Sequence, residues 1–273
     1  MTYMETKTGR TIFIGDVHGC PDELQKLYLK LKPRAGIDRF VFCGDIVDKG
    51  PDTLTALRLV KEILLAHPGS VCVSGNHEEK AFRFYDHDRV SQFVNGNKGR
   101  AWAYDATEAD WSFIRSMPLT WFDKDLDIRV VHAGIPPSIL VKHPDIFQRI
   151  EERGAKWRKG GGKSMNRARR MLRVRFVDKD GDMLTYGENK HGDPFWAHVY
   201  DRSQGMVVFG HCPALDGKVK RYGSTFQRTA IGIDTGCVFG AKLTAYVVQP
   251  GEADQYVQVD AAKQYAPIMR EED

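Results

Sequence analysis

Gly15-Asp16-Val17-His18-Gly19, Gly44-Asp45-Ile46-Val47-Asp48-Lys49-Gly50 and Gly75-Asn76-His77-Glu78 decide how this chain is read. Each stretch follows a short apolar run, opens on glycine and then sets down Asp, Asn or His. Two more histidines arrive in a similar way: His132 after Ile128-Arg129-Val130-Val131, and His211 after Val207-Val208-Phe209-Gly210. A strand that ends in glycine turns sharply, because glycine tolerates positive φ. The next side chain then projects from the carboxyl end of a sheet, where open α/β sheets gather their ligands. One Asp in that place usually caps a helix, and one His is usually a core or surface residue. Five strand ends, all delivering Asp, Asn or His, point to a metal site.

The segments between these turns predict alternating strands and helices. Residues 11–15, 40–43 and 71–73 read as buried strands. Pro21, followed by Asp22 and Glu23, suits the first turn of a helix. Leu24, Leu27, Tyr28 and Leu31 then fall on one helical face. Pro51 and Asp52 open a second helix with Leu54, Leu57, Val60 and Leu64 inside, and a third starts near His77. This order predicts a parallel sheet covered by helices. Residues 86–127 are less regular, although 104–117 read as helical, and Trp102, Trp111 and Phe113 are expected in the core or over the site. From residue 206 the pattern is β, at 206–209, 229–233, 242–248 and 255–259, with turns at Asp216-Gly217, Thr235-Gly236 and Pro250-Gly251. The polar tail after Ala261 is expected to be loose.

A chain of 273 residues is long for one domain but compatible with one, and long enough to bury a sizeable core. Hydrophobic residues at 42% and charged residues at 28% are ordinary for a soluble globular protein. Cys20, Cys43, Cys72, Cys212 and Cys237 are scattered, odd in number and form no CxxC pair. That argues against a disulfide framework and a structural zinc site, and predicts a reducing, cytoplasmic setting. The first seven residues are too polar for a signal peptide. No apolar run approaches the roughly 20 residues that span a bilayer, so membrane insertion is not expected.

The formal net charge is +4, and much of the basic character lies between residues 151 and 195. There Arg153, Lys156, Arg158, Lys159, Lys163, Arg167, Arg169, Arg170, Arg173 and Arg175 surround a flexible break at Gly160-Gly161-Gly162, with almost no acidic residue after Glu152. The segment reads either as a solvated face or as a binding patch, within a single domain over 1–273 that carries it as an insertion or lid. Asp178-Lys179-Asp180-Gly181-Asp182 reads as a hairpin turn. A calcium loop is rejected there, because no Glu stands at the twelfth position and the flanking helices are missing.

Asp16, His18, Asp45, Asn76, His132 and His211 are more ligands than one zinc-like centre needs. Carboxylate, amide and imidazole together suit two adjacent divalent ions bridged by one carboxylate, with Asp45 on the middle turn as the bridge. Hard oxygens plus imidazole favour Mn²⁺, Fe²⁺ or Zn²⁺ over Cu⁺. Two such ions about 3.5–4 Å apart activate water and clamp phosphoryl oxygens.

The motif set Gly-Asp-x-His-Gly, Gly-Asp-x-Val-Asp-Lys-Gly and Gly-Asn-His-Glu resembles the calcineurin-like metallophosphoesterases. Within them it is similar to the branch of phosphoprotein phosphatases and symmetrical diadenosine tetraphosphatases. His132-Ala133-Gly134 and Gly210-His211 match two later motifs, and Ile233-Asp234-Thr235-Gly236-Cys237-Val238-Phe239-Gly240 with Leu243-Thr244 is similar to the closing segment of bacterial and phage members. The resemblance covers about residues 11–248. It implies an α/β fold of two β-sheets sandwiched together and flanked by helices, with two divalent ions at the strand carboxyl ends, Mn²⁺ first and Fe or Zn as alternatives. It also implies that Asp16, His18 and Asp45 hold one ion and that Asp45, Asn76, His132 and His211 hold the other. His77 is then the general acid, steadied by Asp48. Lys49 stands where phosphoprotein phosphatases more often carry Arg, offering phosphate a point charge in place of a fork, and Arg158 is a second candidate for phosphate.

Two substrates compete. Asp48 and Glu78 are as in phosphoprotein phosphatases, whereas tetraphosphatases often have a neutral residue and Asp at those places. The basic run leading to Leu172-Arg173-Val174-Arg175-Phe176 looks more like nucleoside-polyphosphate hydrolases, whose substrates carry several charges beyond the bond cut. The expectation adopted is hydrolysis of nucleoside polyphosphates such as diadenosine tetraphosphate. A serine/threonine phosphoprotein phosphatase is the alternative. An RNA-end hydrolase, and a dead phosphate- or RNA-binding module, are lesser ones; no nucleic-acid motif supports them.

Overall fold

The computed structural model describes residues 9–158, 162–185, 187–224 and 227–268. The expected break at Gly160-Gly161-Gly162 lies largely outside them. Among the described residues the strands are β1 (Thr11–Ile14), β2 (Arg39–Phe42), β3 (Val71–Cys72), β4 (Thr120–Asp123), β5 (Ile128–Val131), β6 (Met206–Phe209), β7 (Lys220–Gly223), β8 (Arg228–Gly232), β9 (Lys242–Val248) and β10 (Gln255–Asp260). They form two sheets, ordered β10-β9-β1-β2-β3 and β4-β5-β6-β8-β7. Both are mixed. β1, β2 and β3 run parallel as the alternating pattern predicts, but β9 pairs antiparallel with β1, Phe13 facing Tyr246 in register. In the second sheet β5, β6 and β8 are parallel, while β4 and β7 close the edges antiparallel.

Strand residues alternate between two burials. Phe13, Val41, Val130, Val208 and Ile231 point between the sheets and form one core. Ile12, Ile14, Phe40 and Phe42 face the other way, into a core shared with α1 (Pro21–Leu31) and α2 (Thr53–Ala66). Val131, Val207 and Phe209 back the second sheet, against residues of the 146–200 region. Strands buried on both faces read as unbroken apolar runs, and that is what the sequence shows. Phe13 stacks on Tyr246 at 5.6 Å between ring centroids; truncating such a residue to Ala costs about 3–5 kcal/mol.

The remaining helices are α3 (Asn76–Asp86), α4 (Val90–Asn95), α5 (Trp102–Asp105), α6 (Glu108–Ser116), α7 (Pro137–Lys142), α8 (Ile146–Arg153), α9 (Lys163–Ala168) and α10 (Trp196–Val199). The single helix expected over 104–117 is divided. Thr107 caps α6 by exchanging hydrogen bonds with Asp110, and a reciprocal cap of this kind starts a new helix. The tail is not loose as far as Ala266. The backbone N–H of Ala262 and the Tyr265 hydroxyl both donate to Glu23, at 2.9 and 2.8 Å, and Ala266 is buried.

The basic segment also departs from expectation. No acid lies among residues 153–175, but the fold brings two from outside that run, one of them only 12 residues after its partner. Arg170 pairs with Asp182 at 3.2 Å and Arg173 with Glu79 at 3.3 Å. Trp157, Met165, Met171 and Leu172 anchor it in the core behind the second sheet. Asp178-Lys179-Asp180-Gly181-Asp182 forms the expected turn, closed by the Asp178 N–H donating to the Asp182 carbonyl at 2.9 Å. No helix among the described residues is long and apolar enough to cross a membrane.

Candidate metal centre

The carboxyl ends of β1, β2 and β3 lie side by side, as do those of β5 and β6, and all five deliver their polar residues to one buried cluster. Asp45 is its hub. Its Oδ2 lies 3.2 Å from His132 Nε2, 3.6 Å from His18 Nε2 and 4.0 Å from His77 Nε2. The Asn76 Oδ1 sits 2.9 Å from His132 Nε2 and 3.0 Å from His211 Nδ1. Asp16 joins through its Oδ2, which accepts the His211 backbone N–H at 2.9 Å.

Local geometry makes this convergence possible, in two ways. Glycine at Gly75 and Gly210 serves space rather than torsion. A Cβ on Gly75 would stand 2.0 Å from Asp45 Oδ1, and one on Gly210 would stand 1.8 Å from Asp16 Oδ1. The left-handed torsions fall on the functional residues instead: φ is 45° at His18, 49° at Asp45, 69° at Asp48 and Lys49, and 66° at His211. Non-glycine residues held there cost of order 1–3 kcal/mol each and persist where the surroundings over-determine them.

At the second turn the surrounding group is Glu78. Its Oε2 accepts the N–H of Asp45 at 2.9 Å and of Gly75 at 2.8 Å; its Oε1 accepts those of Ile46 and Val47 at 2.7 and 3.0 Å. One carboxylate in the first turn of α3 thus ties the second Gly-rich turn to the third. Asp45 returns the link, accepting the His77 N–H at 3.0 Å.

The cluster fits divalent cations. Asp16 Oδ1 is buried and meets no hydrogen-bond partner. Burial and then the neighbouring Asp234 and Asp45 raise the Asp16 carboxyl well above its ordinary range, the response of carboxylates crowded without a counter-charge. Two imidazoles have their tautomers set from behind. His18 Nδ1 pairs with the Val47 carbonyl at 3.0 Å and His132 Nδ1 with that of Cys43 at 2.8 Å. Each Nδ1 is therefore the donor, and each Nε2 presents its lone pair to the cluster, the arrangement found behind metal-ligating histidines. Burial and then Lys49 push His18 down to about 3, which keeps it neutral. The ligand atoms of Asp45, His132 and His211 lie within 4.8 Å of one another, as do those of His18, Asp45 and His77.

Beside the cluster, His77 Nδ1 hydrogen-bonds Asp48 Oδ2 at 2.8 Å. Burial alone would lower the His77 value, but Asp45 and Asp48 reverse that and hold it above the ordinary imidazole range. Asp48 is fixed in turn. Trp102 Nε1 donates to its Oδ1 at 2.7 Å, and Arg100 Nε to its Oδ2 at 3.3 Å. Lys49 Nζ lies 3.5 Å from His18 Nε2 and 5.2 Å above the Phe239 ring. Arg158 faces neutral acceptors: Nη1 donates to the Met117 and Arg115 carbonyls at 2.7 and 3.1 Å, and Nη2 to Ser74 Oγ at 2.7 Å.

The sequence reading gives no site role to Asp234, none to Trp102 as a polar group, and no architectural part to Glu78. Asp234 was open to the rule that found the others, because it follows Ala230-Ile231-Gly232-Ile233, an apolar run that includes glycine. It is buried, and burial first lifts its carboxyl to about 6. Trp102 and Glu78 act across 54 and up to 33 residues respectively, and no local pattern carries that.

Known proteins resemble this chain in sequence and in fold. The sequence profile described as calcineurin-like phosphoesterase matches residues 9–231. The asymmetrical bis(5'-nucleosyl)-tetraphosphatase PrpE of Oceanobacillus iheyensis is 30% identical over 250 residues, covering 85% of this chain and 86% of its own. A symmetrical bis(5'-nucleosyl)-tetraphosphatase of Pseudomonas putida is 29% identical over 290 residues, covering 92% and 93%. A crystal structure of a candidate diadenosine tetraphosphatase superposes with a TM-score of 0.62 at 26% identity, over 92% of this chain and 94% of that one.

Proposed function

This chain belongs to the calcineurin-like phosphoesterase family and is a phosphohydrolase, and from that premise we propose that it hydrolyses bis(5'-nucleosyl) tetraphosphates with two divalent ions, Mn²⁺ foremost. The observation that carries the reading is Asp45 Oδ2, approached within 4.0 Å by imidazoles from three different strand ends. Asp16, His18 and Asp45 would hold one ion, and Asp45, Asn76, His132 and His211 the other. Bound there, the pair supplies positive charge to the phosphoryl oxygens and lowers the pKa of water.

The protein's own groups do the rest. His77 keeps a proton on Nε2 for the departing oxygen, because Nδ1 is engaged by Asp48 and both acids stabilise the imidazolium. Trp102 and Arg100 keep Asp48 aimed at it. Lys49, beside His18, is the phosphate contact in this scheme. For Arg158 the observed bonds favour holding Ser74, next to Gly75, over reaching a phosphate. The tetraphosphate substrate is supported by relatives named as bis(5'-nucleosyl)-tetraphosphatases. Five free cysteines suit a reducing, cytoplasmic compartment. The basic segment enters the proposal as part of the same domain, with Trp157, Met165, Met171 and Leu172 packed behind the second sheet.

The presence of Asp48 opposite His77 favours a second reading, a serine/threonine phosphoprotein phosphatase. The two share a centre, so one variant tests the centre itself. His77→Asn should retain the metal content of the wild type and lose roughly 10²–10⁴ in kcat on a substrate with a poor leaving group. Unchanged turnover would remove His77 as the acid.

A further inference from the structure

Away from the Asp45 cluster, the fold assembles a different set of ligands. Cys20 precedes α1, Glu23 stands in its first turn, and Cys237 begins the turn Cys237–Phe239 between β8 and β9. Their sulfur and carboxylate ligand atoms lie within 4.8 Å of one another. All three residues are buried, at 0%, 0% and 2% exposure. The lack of any CxxC pair argued against a thiolate site; the pairing comes from residues 217 positions apart, which the fold brings together.

Glu23 is the informative member. Its Oε1 is satisfied twice, by the Ala262 N–H and the Tyr265 hydroxyl. Its Oε2 is buried with no hydrogen-bond partner. A carboxylate oxygen withdrawn from water without a partner is costly, and thiols are weak donors. Tyr265 and Ala262 fix the carboxylate from behind, as outer partners fix metal ligands. The N-terminal end of the 11-residue α1 adds positive potential to the three donors.

We propose that Cys20, Glu23 and Cys237 form a separate soft-metal site that binds Zn²⁺. Zinc takes thiolate at about 2.3 Å and carboxylate at about 2.0–2.2 Å, so tetrahedral ligands stand about 3.3–3.8 Å apart, inside the observed spacing. Thiolates select zinc where oxygen and imidazole accept manganese, so the two centres sort metals by ligand chemistry. The site joins three pieces of chain: the turn carrying Asp16 and His18, the turn after Asp234, and the segment 262–265. It is a clip behind the catalytic loops, and it stands independently of the substrate assignment.

Cobalt provides the test, because only a sulfur ligand gives thiolate-to-Co²⁺ charge-transfer absorption and the Asp45 cluster contains none. The reduced, chelator-treated full chain is titrated with Co²⁺. The expected result is a charge-transfer band that saturates, with an amplitude that accounts for one thiolate-bound ion per chain, and is abolished by Zn²⁺. Cys237→Ser should remove it, and Glu23→Gln, which spares both thiols, should weaken Co²⁺ binding roughly tenfold or more. Absence of the band in folded wild-type protein overturns the proposal. So does a band that survives Cys237→Ser, which would assign it to Cys43, Cys72 or Cys212. A thiol count of three in the unreduced, denatured chain, with Cys20 linked to Cys237, would replace the metal site by a disulfide.

Discussion

Replacing Glu78 by Gln removes one charge and changes almost no volume, yet it strikes the joint between two Gly-rich turns. Four backbone N–H groups point at this carboxylate, at 2.7 to 3.0 Å. An amide has one accepting oxygen. Whichever way it is turned, two of the four N–H groups face an NH₂ group, and each buried donor left unsatisfied costs about 1–3 kcal/mol. The other two bonds lose their charge assistance, about 1 kcal/mol each. Relief of the buried charge offsets part of this, since burial is the first cause raising the Glu78 value. A net loss of about 3–5 kcal/mol follows, a large share of the ~5–15 kcal/mol that holds a typical domain folded. Glu78→Asp should not rescue, because the shorter side chain cannot span both turns. Urea unfolding of the chelated protein measures the loss, and Mn²⁺ titration should show affinity down roughly tenfold or more as Asp45 loosens. A loss below about 1 kcal/mol with unchanged Mn²⁺ affinity would refute the claim that Glu78 builds the site.

Trp102→Phe deletes the hydrogen bond to Asp48 Oδ1; if that bond aims His77, kcat falls roughly ten- to a hundredfold while KM is nearly unchanged, and steady-state kinetics showing a rise in KM alone would assign Trp102 to packing. Saturating Mn²⁺ should raise the melting temperature by about 5–10 °C at a hundredfold excess over Kd, because the cation neutralises Asp16 and Asp45; calorimetry with and without chelator checks this, and chelation should abolish turnover. At Asp110 the Arg58 hydrogen bonds, first among the causes, hold the carboxyl down to about 2. Its folded value lies below the unfolded value near 3.9, so its contribution is complete above about pH 4 and disappears as pH falls through about 2. Asp110→Asn should therefore lose stability against wild type at neutral pH and converge with it in acid, as followed by urea unfolding.

The strand ends were legible because each repeats one local rule: an apolar run, a glycine, a ligand. That rule places Asp16, Asp45 and His211 from fewer than eight residues of context. It explains the position of each glycine less well, since Gly75 and Gly210 are required by the carboxylates packed against them, a contact made across the chain. The antiparallel partner of β1 lies more than 200 residues away in sequence, and strand periodicity does not say which strands pair. Separation in sequence also hid Glu79, 94 residues from Arg173, whereas Asp182 lies only 12 residues after Arg170; together they leave the basic run more compensated than its own composition suggests. Locally encoded capping was readable at Pro21 and Asp52, and missed at Thr107, where an expected single helix divides.

Initial rates of the Mn²⁺-loaded protein on diadenosine tetraphosphate and on a phosphoserine peptide, with product analysis, test the central claim most directly. The account predicts kcat/KM far higher on the tetraphosphate, with loss of that rate in His77→Asn; ADP alone as product assigns a symmetrical cut, and AMP with ATP an asymmetrical one. Strong peptide turnover with negligible tetraphosphate cleavage would contradict the substrate assignment and make this centre that of a phosphoprotein phosphatase.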